Sequence, residues 1–232
     1  MDSTTQHSSK RWLTPLVVII VIVVGGVVAW WQLRPVTTPL DAFAAWRMEN
    51  PGLTVEQQQQ AKSEFEQSLK VLRANADDFS SWMVLGNAKL TVKDYEGAAA
   101  IFEYAGKIRP LNSISFNNLG HIYATFLRRN DAAVAAYQRA IANSADESKN
   151  EFYVRSLGDL QDLTMGDPAA ALVTFEDGLR RQPKSTQLLA RAAEVSAKLG
   201  DTPKAIGYYT RLVAIDPDNA AAQDELAKLK RP

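Results

Sequence analysis

The sequence predicts an all-α protein made of two parts, an apolar N-terminal helix and a longer helical domain with a polar surface. Three observations support this fold class. Residues 12–33 contain no charged side chain, which is typical of a membrane span. After residue 40, alanine is abundant and the alternation of apolar and polar residues expected of a strand is nearly absent. A spaced pattern of Leu-Gly, alanine and aromatic residues recurs between residues 79 and 219.

Composition argues against several classes of function. The 26 lysines and arginines balance the 26 aspartates and glutamates and are dispersed, so we expect no nucleic-acid partner. The chain has no cysteine, which excludes disulfides, thiolate metal sites and cysteine nucleophiles. Its two histidines, His7 and His121, have no metal-ligand neighbours at helical or hairpin spacing. We also find no phosphate-binding glycine loop, and we expect neither catalytic residues nor a bound metal or cofactor.

Residues 1–11 form a polar tail, and residues 12–33 are predicted to form a transmembrane helix. Such a helix would measure about 33 Å, close to the ~30 Å of a hydrocarbon core. Trp12 at one end and Trp30 with Trp31 at the other suit the membrane interface. A cleaved signal peptide, with Val27-Val28-Ala29 at the cleavage site, is the alternative. The tryptophan pair and the apolar stretch that continues past this site favour a retained anchor.

The charges that flank the apolar stretch predict its orientation. Lys10 and Arg11 precede it, whereas Arg34 alone follows it directly. By the positive-inside rule, the N-terminus is expected inside and the large domain outside the cytoplasm. The chain is therefore expected to be a single-pass protein of the inner or cytoplasmic membrane.

Residues 34–78 are predicted to hold a short Pro-containing linker and two N-terminal helices. The first helix is expected over Pro39–Met48. The second begins after Thr54, whose spacing to Gln57 resembles a capping box. Together they are interpreted as a degenerate repeat that covers the N-terminal end of the domain.

The first full copy of the recurring pattern spans residues 79–112 and contains, in order, Trp82, Leu85, Gly86, Ala98, Phe102, Ala105 and Pro110. Gly86 and Ala98 lack bulk, so two antiparallel helices can approach closely there. Trp82 and Phe102 fill the space between these helices, and Pro110 ends the second one. The pattern resembles the tetratricopeptide repeat, a helix–turn–helix unit of about 34 residues.

Three further copies follow, at residues 113–150, 151–185 and 186–219. The second copy lacks the final proline and ends in a longer polar joint, residues 143–150. In the third copy, Asp167 followed by Pro168 suits the start of a helix. Residues 220–232 are predicted to form a capping helix, with Asn219 as its N-cap, that covers the apolar end of the array.

The resemblance implies a right-handed α-solenoid in which positions on the first helix of each repeat line a concave groove. The candidates for binding a peptide there are Met83, Asn87, Asn117, Asn118, His121, Arg155, Asp159 and Glu194. Some family members clamp a C-terminal carboxylate with two asparagines, two lysines and an arginine. Asn87 and Asn118 match the asparagines, but Met83, Phe152 and Ser156 occupy the other positions, so we do not expect this clamp. The carboxylates of Asp77-Asp78 and of Asp159 with Asp162 are interpreted as solvated.

The expected function is that of a membrane-anchored scaffold or adaptor. It would bind a partner protein or peptide in the groove and support assembly of a membrane-associated complex, without chemistry of its own. One alternative is a client-holding factor similar to those of envelope assembly or cytochrome c maturation. Another is a structural protein whose repeats stack between chains, since the sequence leaves the oligomeric state open.

Overall fold

The computed structural model describes residues 40–231, so the predicted anchor at residues 12–33 lies outside the described part of the chain. Residues 40–231 contain eleven α-helices and one π-helical turn, as expected for an all-α domain. None of these helices is both long enough and apolar enough to cross a membrane.

The helices follow one another as pairs. Two helices precede the repeats, α1 (Leu40–Phe43) and α2 (Val55–Ala74). The first helices of the four repeats are α3 (Phe79–Thr91), α5 (Ser113–Thr125), α7 (Glu147–Asp159) and α9 (Thr186–Lys198). The second helices are α4 (Tyr95–Ile108), α6 (Asn130–Asn143), α8 (Pro168–Arg181) and α10 (Thr202–Ile215). The last helix is α11 (Ala220–Leu229).

Side-chain caps fix where most of these helices begin. Thr54 accepts from the backbone of Gln57 while the Gln57 side chain accepts from the backbone of Thr54, so the predicted capping box is present. Asp167 caps α8 and Asn219 caps α11, as the sequence indicates. At α6 the N-cap position is Arg129, which makes no such bond.

Each repeat turns from its first to its second helix through one residue with left-handed backbone. These residues are Lys93, Arg128, Gly166 and Gly200, with φ between 55° and 77°. The turn of the third repeat has one residue more than that of the first repeat. A π-helical turn over Leu160–Thr164 accommodates this residue, and there the Met165 N–H donates to the Leu160 carbonyl at 3.0 Å. Glycine is favoured in this backbone region because it lacks a Cβ atom.

In three of the repeats, a glycine of the first helix faces an aromatic ring of the second helix, and the two helices approach closely at that point, as predicted. A Cβ atom added to Gly86 would lie 2.7 Å from the Phe102 ring, and one added to Gly120 would lie 2.7 Å from the Tyr137 ring. Gly158 faces Phe175 in the same way. The small residue and the ring therefore interlock at corresponding positions of these repeats.

The buried core is divided along α7. Tyr153, Leu157 and Leu160 on one side of this helix pack with the residues of the first two repeats. Val154 packs with the residues of the third and fourth repeats. The predicted capping helix α11 joins this second cluster through Ala222, Leu226 and Leu229. The helix α7 thus connects two separately packed halves.

The predicted helix over Pro39–Met48 is wrong beyond Phe43. The residues that follow have no regular secondary structure and, with Phe43, form a segment that we call the strap (residues 43–50). The Glu49 N–H donates to the Val92 carbonyl at 2.9 Å, and the Asn50 amide donates to the Thr91 carbonyl at 3.1 Å. Since these bonds use backbone carbonyls at the end of α3, the strap replaces the expected degenerate helix pair, and α2 alone packs as a full helix before α3.

The polar joint predicted over residues 143–150 is also shorter than expected. Asp146 caps α7, which begins at Glu147, one turn before the predicted boundary at residue 151. The Asn150 side chain is buried and donates to the Ile141 carbonyl at 3.0 Å. This bond holds the added turn of α7 against the end of α6, and only residues 144–146 remain outside the helices.

Candidate functional site

The eight predicted groove residues all lie on the first helices of the repeats, and none of them is buried. We call the surface formed by the exposed and half-buried side chains of α3, α5, α7 and α9 the first-helix face. Asn87, His121 and Glu194 are exposed, while the other five are half-buried. The end formed by α3 and α5 differs in charge from the end formed by α7 and α9.

The end formed by α3 and α5 carries neutral amides. Asn87 is exposed, and Met83 lies one turn before it, half-buried against the core. On α5 the Asn117 amide donates to the Asn118 side-chain oxygen at 3.4 Å. The Asn117 Oδ1 atom is buried without a hydrogen-bond partner in the described part of the chain. This end therefore offers amide groups that can both donate and accept.

His121 belongs to an aromatic cluster. Its Nδ1 atom lies 3.3 Å from the Thr125 hydroxyl, and its ring meets the edge of Phe126 at 5.4 Å between centroids. Phe126 stacks on Tyr95 with a centroid distance of 4.0 Å and nearly parallel rings. These contacts place the imidazole on an exposed aromatic surface.

The large apolar side chains of the first-helix face that are solvent-exposed include Ile114 at 40% and Phe152 at 47%. Ile114 lies in the first turn of α5, and Phe152 lies in the second turn of α7. The Arg155 guanidinium lies 5.8 Å from the centre of the Phe152 ring and also donates to Gln187 of α9. Arg155 thus links α7 to α9 and shields one side of the phenylalanine.

The end formed by α7 and α9 is closed by an ion-pair network around Arg191. This guanidinium contacts three carboxylates, Asp159 at 2.8 Å, Asp162 at 3.1 Å and Glu194. Lys198 also binds Asp162, at 2.6 Å. The expectation that Asp159 and Asp162 are solvated is therefore wrong for Asp162, whose side chain is only 4% exposed. Its position in the π-helical turn directs it toward the two cations of α9.

Arg191 is the central residue of this network, and the sequence analysis did not identify it. Its side chain is 20% exposed and lies 5.6 Å from the centre of the Phe175 ring. Burial by itself lowers the pKa of Arg191, but the hydrogen bonds that its guanidinium donates to Glu194 and Asp159, together with the charges of these carboxylates, raise it overall. The signal that could have found it is the set of acids at predicted groove positions of two adjacent repeats, which needs a nearby cation.

Neither the acidic residues in general nor the pair Asp77-Asp78 forms a metal site in the described part of the chain. Within residues 40–231, no three His, Cys, Asp or Glu side chains are arranged to hold a metal ion. Asp78 caps α3 by accepting from the Ser81 N–H at 2.8 Å, and this hydrogen bonding with Ser81 lowers its pKa. Its role is local and structural.

Repeated helix pairs, joined through left-handed turns and packed through a glycine against a ring, define the described part of the chain as an α-solenoid. Family models described as tetratricopeptide repeat match residues 114–147 and 162–229. The chain therefore contains tetratricopeptide repeats, as the sequence pattern predicts.

Known proteins share this architecture at low sequence identity. The chain is similar to YrrB, described as a TPR protein with an unusual peptide-binding site, with a TM-score of 0.54 and 17% identity over 71% of this chain and 82% of that one. It is similar to MamA with a TM-score of 0.52 and 19% identity, over 73% of this chain and 98% of that one. At these identities, the likeness shows the fold alone.

Curated relatives match over a shorter segment. The mouse (Mus musculus) and human (Homo sapiens) proteins named FK506-binding protein-like are 36% and 37% identical to the chain over 67 residues. This segment is 29% of the chain, and it spans only 19% of the length of those relatives.

Proposed function

We propose that the chain is a membrane-anchored scaffold that binds a partner protein or peptide on its first-helix face and supports assembly of a membrane-associated complex. The observation that carries the proposal is the contrast between the two ends of that face. The end formed by α7 and α9 satisfies its charges internally, whereas the end formed by α3 and α5 leaves amide and apolar side chains facing solvent.

The exposed groups suit a neutral polypeptide segment. Asn87 and Asn118 can each exchange one donor and one acceptor with a peptide main chain. Ile114 in the first turn of α5 and Phe152 in the second turn of α7 expose apolar surface. An apolar side chain of a partner that packs there is removed from water, which favours binding. Few free charges lie among these groups, so binding there should depend only weakly on salt.

The membrane part of the proposal is supported by the sequence of residues 12–33 and by the charges that flank it. An anchor would hold the repeats close to a membrane complex and raise their effective concentration there. The proposed location is the inner or cytoplasmic membrane, with the N-terminus inside and the repeats outside the cytoplasm. Protease treatment of intact and permeabilised cells tests this topology. Protection of the repeats after the envelope is opened, with the membrane intact, would refute it.

Affinity capture from native membranes tests the binding surface. The full-length chain is compared with a variant carrying Asn87→Ala, Asn118→Ala and Phe152→Ala. A matched control carries Gln59→Ala, Gln67→Ala and Lys70→Ala, which are exposed positions of α2. We expect a specific partner to be lost from the first variant and kept by the control, with unchanged circular dichroism in both.

Two other results would contradict the proposed binding surface. If both variants capture the same partners as the original chain, the first-helix face is not the site. If both lose the same partner, the loss reflects a general change in the fold and not the removal of specific contacts.

A further inference from the structure

A second cleft lies away from the first-helix face, between α6, α7 and α8. It has a volume of about 620 Å³, within the range of ligand pockets. Its floor is a stripe of α7 side chains, and its walls are the second helices of the second and third repeats. The residues of the floor are Asn150, Val154, Leu157 and Gln161.

The cleft is wide because the third repeat has smaller residues at two positions. The second repeat has a corresponding cleft of about 440 Å³, and there α5 presents Phe116 and Tyr123. The corresponding residues of α7 are Val154 and Gln161. The added first turn of α7 lengthens the floor by Asn150.

The floor of the cleft holds hydrogen-bonding groups that are only partly used. The Asn150 Nδ2 atom donates to the Ile141 carbonyl, which fixes the amide and leaves Oδ1 buried without a hydrogen-bond partner among residues 40–231. Asn150 itself is only 3% exposed. At the other end, Gln161 Oε1 accepts from the Thr174 hydroxyl at 2.7 Å, so its Nε2 is the end able to donate. A buried acceptor without a donor is costly and rare in native structures.

The first repeat shows what fills a cleft of this kind. Its cleft lies between α2, α3 and α4, and the strap occupies it. Phe43 of the strap packs on Trp82 of α3 at 5.7 Å and on Tyr104 of α4 at 6.1 Å between ring centroids. The Lys89 ammonium of α3 donates to the Ala45 carbonyl of the strap. The strap is therefore held by the packing of its Phe43 ring and by a hydrogen bond from the Lys89 side chain to its main chain.

The residues that hold the strap have counterparts in the third repeat. Val154 takes the place of Trp82, and Gln161 takes the place of Lys89, because each pair stands four residues before and three after the packing glycine of its first helix. Asp177 takes the place of Tyr104, since each follows the packing phenylalanine by two residues. Asp177 is at the mouth of the cleft and is paired with the exposed Arg180 at 2.5 Å.

We propose that the cleft between α6, α7 and α8 binds an extended segment of a partner polypeptide in the manner in which the first repeat holds the strap. A large apolar side chain of the segment packs in the space above Val154, which the smaller side chain leaves open. A main-chain carbonyl of the segment accepts from Gln161 Nε2, and a main-chain N–H donates toward Asn150. This site lies between two second helices, over buried side chains of α7, and is separate from the exposed first-helix face.

A peptide that contains the strap and the preceding Ala42, AFAAWRMEN (residues 42–50), is the probe that tests the proposal. The peptide is labelled with fluorescein, and its polarisation is measured with the full chain in detergent micelles. We expect saturable binding that a peptide with alanine in place of both aromatic residues does not show. Val154→Phe, which fills the floor as Phe116 does in the second repeat, should weaken binding about tenfold or more.

A second variant guards against a failure of Val154→Phe to fold. Val173 lies on the wall of the cleft and is 58% exposed, so Val173→Lys should leave the fold intact and also weaken binding about tenfold. Val84→Phe is the matched control, because Val84 is an exposed residue of α3 outside this cleft. It should bind the peptide as the original chain does.

Three results would overturn the proposal. The first is no binding by the original chain at concentrations up to about 1 mM, where even a weak complex would be populated. The second is binding that both cleft variants retain, which would place the peptide elsewhere, for example in the first repeat in exchange for the strap. The third is binding that the first-helix variant with Asn87→Ala, Asn118→Ala and Phe152→Ala loses. That result would assign the peptide to the first-helix face.

Discussion

Replacing Gly158 by alanine tests whether the contact between a glycine and an aromatic ring holds each helix pair together. Gly158 lies on α7 and faces the Phe175 ring of α8, so an added methyl group would overlap ring atoms. Alanine favours a helix over glycine by about 1 kcal/mol. Overpacking a filled core costs about 1–3 kcal/mol, and the side that must move here is a fully buried ring. The net expectation is a loss of stability of up to about 2 kcal/mol.

Gly207 provides the matched control within the same chain. It lies on α10 in an exposed position, and an added Cβ atom would meet nothing within 4 Å. Gly207→Ala therefore gains the helical preference of alanine without overpacking, and stability should rise by about 0.5–1 kcal/mol. The same chemical change is thus expected to act with opposite signs at the two sites.

Urea unfolding followed by circular dichroism at 222 nm measures both variants. A third variant, Gly158→Ala with Phe175→Leu, reduces the volume opposite the new methyl group. The cost of Gly158→Ala should be smaller in this background than in the original chain, since the two residues are in contact. If Gly158→Ala were as stabilising as Gly207→Ala, the packing explanation for the repeated Leu-Gly pattern would be refuted.

Three further outcomes follow from charges and backbone geometry. Arg191→Met should destabilise the fold by about 2–4 kcal/mol, because Arg191 is the mostly buried cation shared by Asp159, Asp162 and Glu194. Lys198→Met removes a half-exposed side chain and leaves Arg191 paired with Asp162, so it should cost under about 1 kcal/mol. Equal costs in urea unfolding would contradict a buried network. Lys93 has a φ of 65°, so Lys93→Gly should raise the thermal midpoint by the equivalent of about 0.5–1 kcal/mol, and a lower midpoint would count against strain at this turn. Burial raises the pKa of Tyr137 from 10.0 to about 12, so the folded state holds its phenol proton more tightly and stability falls as the pH rises through this range. Tyr137→Phe should lose less stability between about pH 10 and about pH 12, and equal losses would show that this phenol does not drive alkaline unfolding.

The features predicted correctly from sequence are those that depend on neighbouring or periodic residues. The capping box at Thr54 and the caps at Asp167 and Asn219 involve a side chain and a backbone N–H three residues later. The packing of Gly86 against Phe102 recurs at the corresponding positions of the second and third repeats, so three copies support one interpretation. Such signals are contained within a few turns of the chain, and they fix the boundaries of most helices.

The features that the sequence analysis missed depend on residues far apart in the chain. Residues 44–48 contain good helix formers, yet they form no helix, and the contacts of this segment are with distant residues. Trp46 packs on Phe65 of α2, and the Glu49 N–H donates to the Val92 carbonyl at the end of α3. Asp162 was expected to be solvated because the sequence does not reveal that Arg191 and Lys198 of the next repeat converge on it. Three of the candidate groove residues, Arg155, Asp159 and Glu194, are engaged with neighbouring side chains for the same reason.

Lys89 explains why the first and third repeats present different clefts. Its ammonium group is buried, so it requires partners, and it finds a charge in Asp94 at 2.6 Å and a carbonyl in the strap. The strap in turn covers this ion pair and keeps it from water. Gln161 occupies the corresponding position of the third repeat and carries no charge, so no bound segment is needed to neutralise or cover it. A neutral amide in an open cleft can then release and rebind a segment, whereas a buried ammonium holds its segment permanently, and this difference is what makes the third repeat the better candidate for a reversible site.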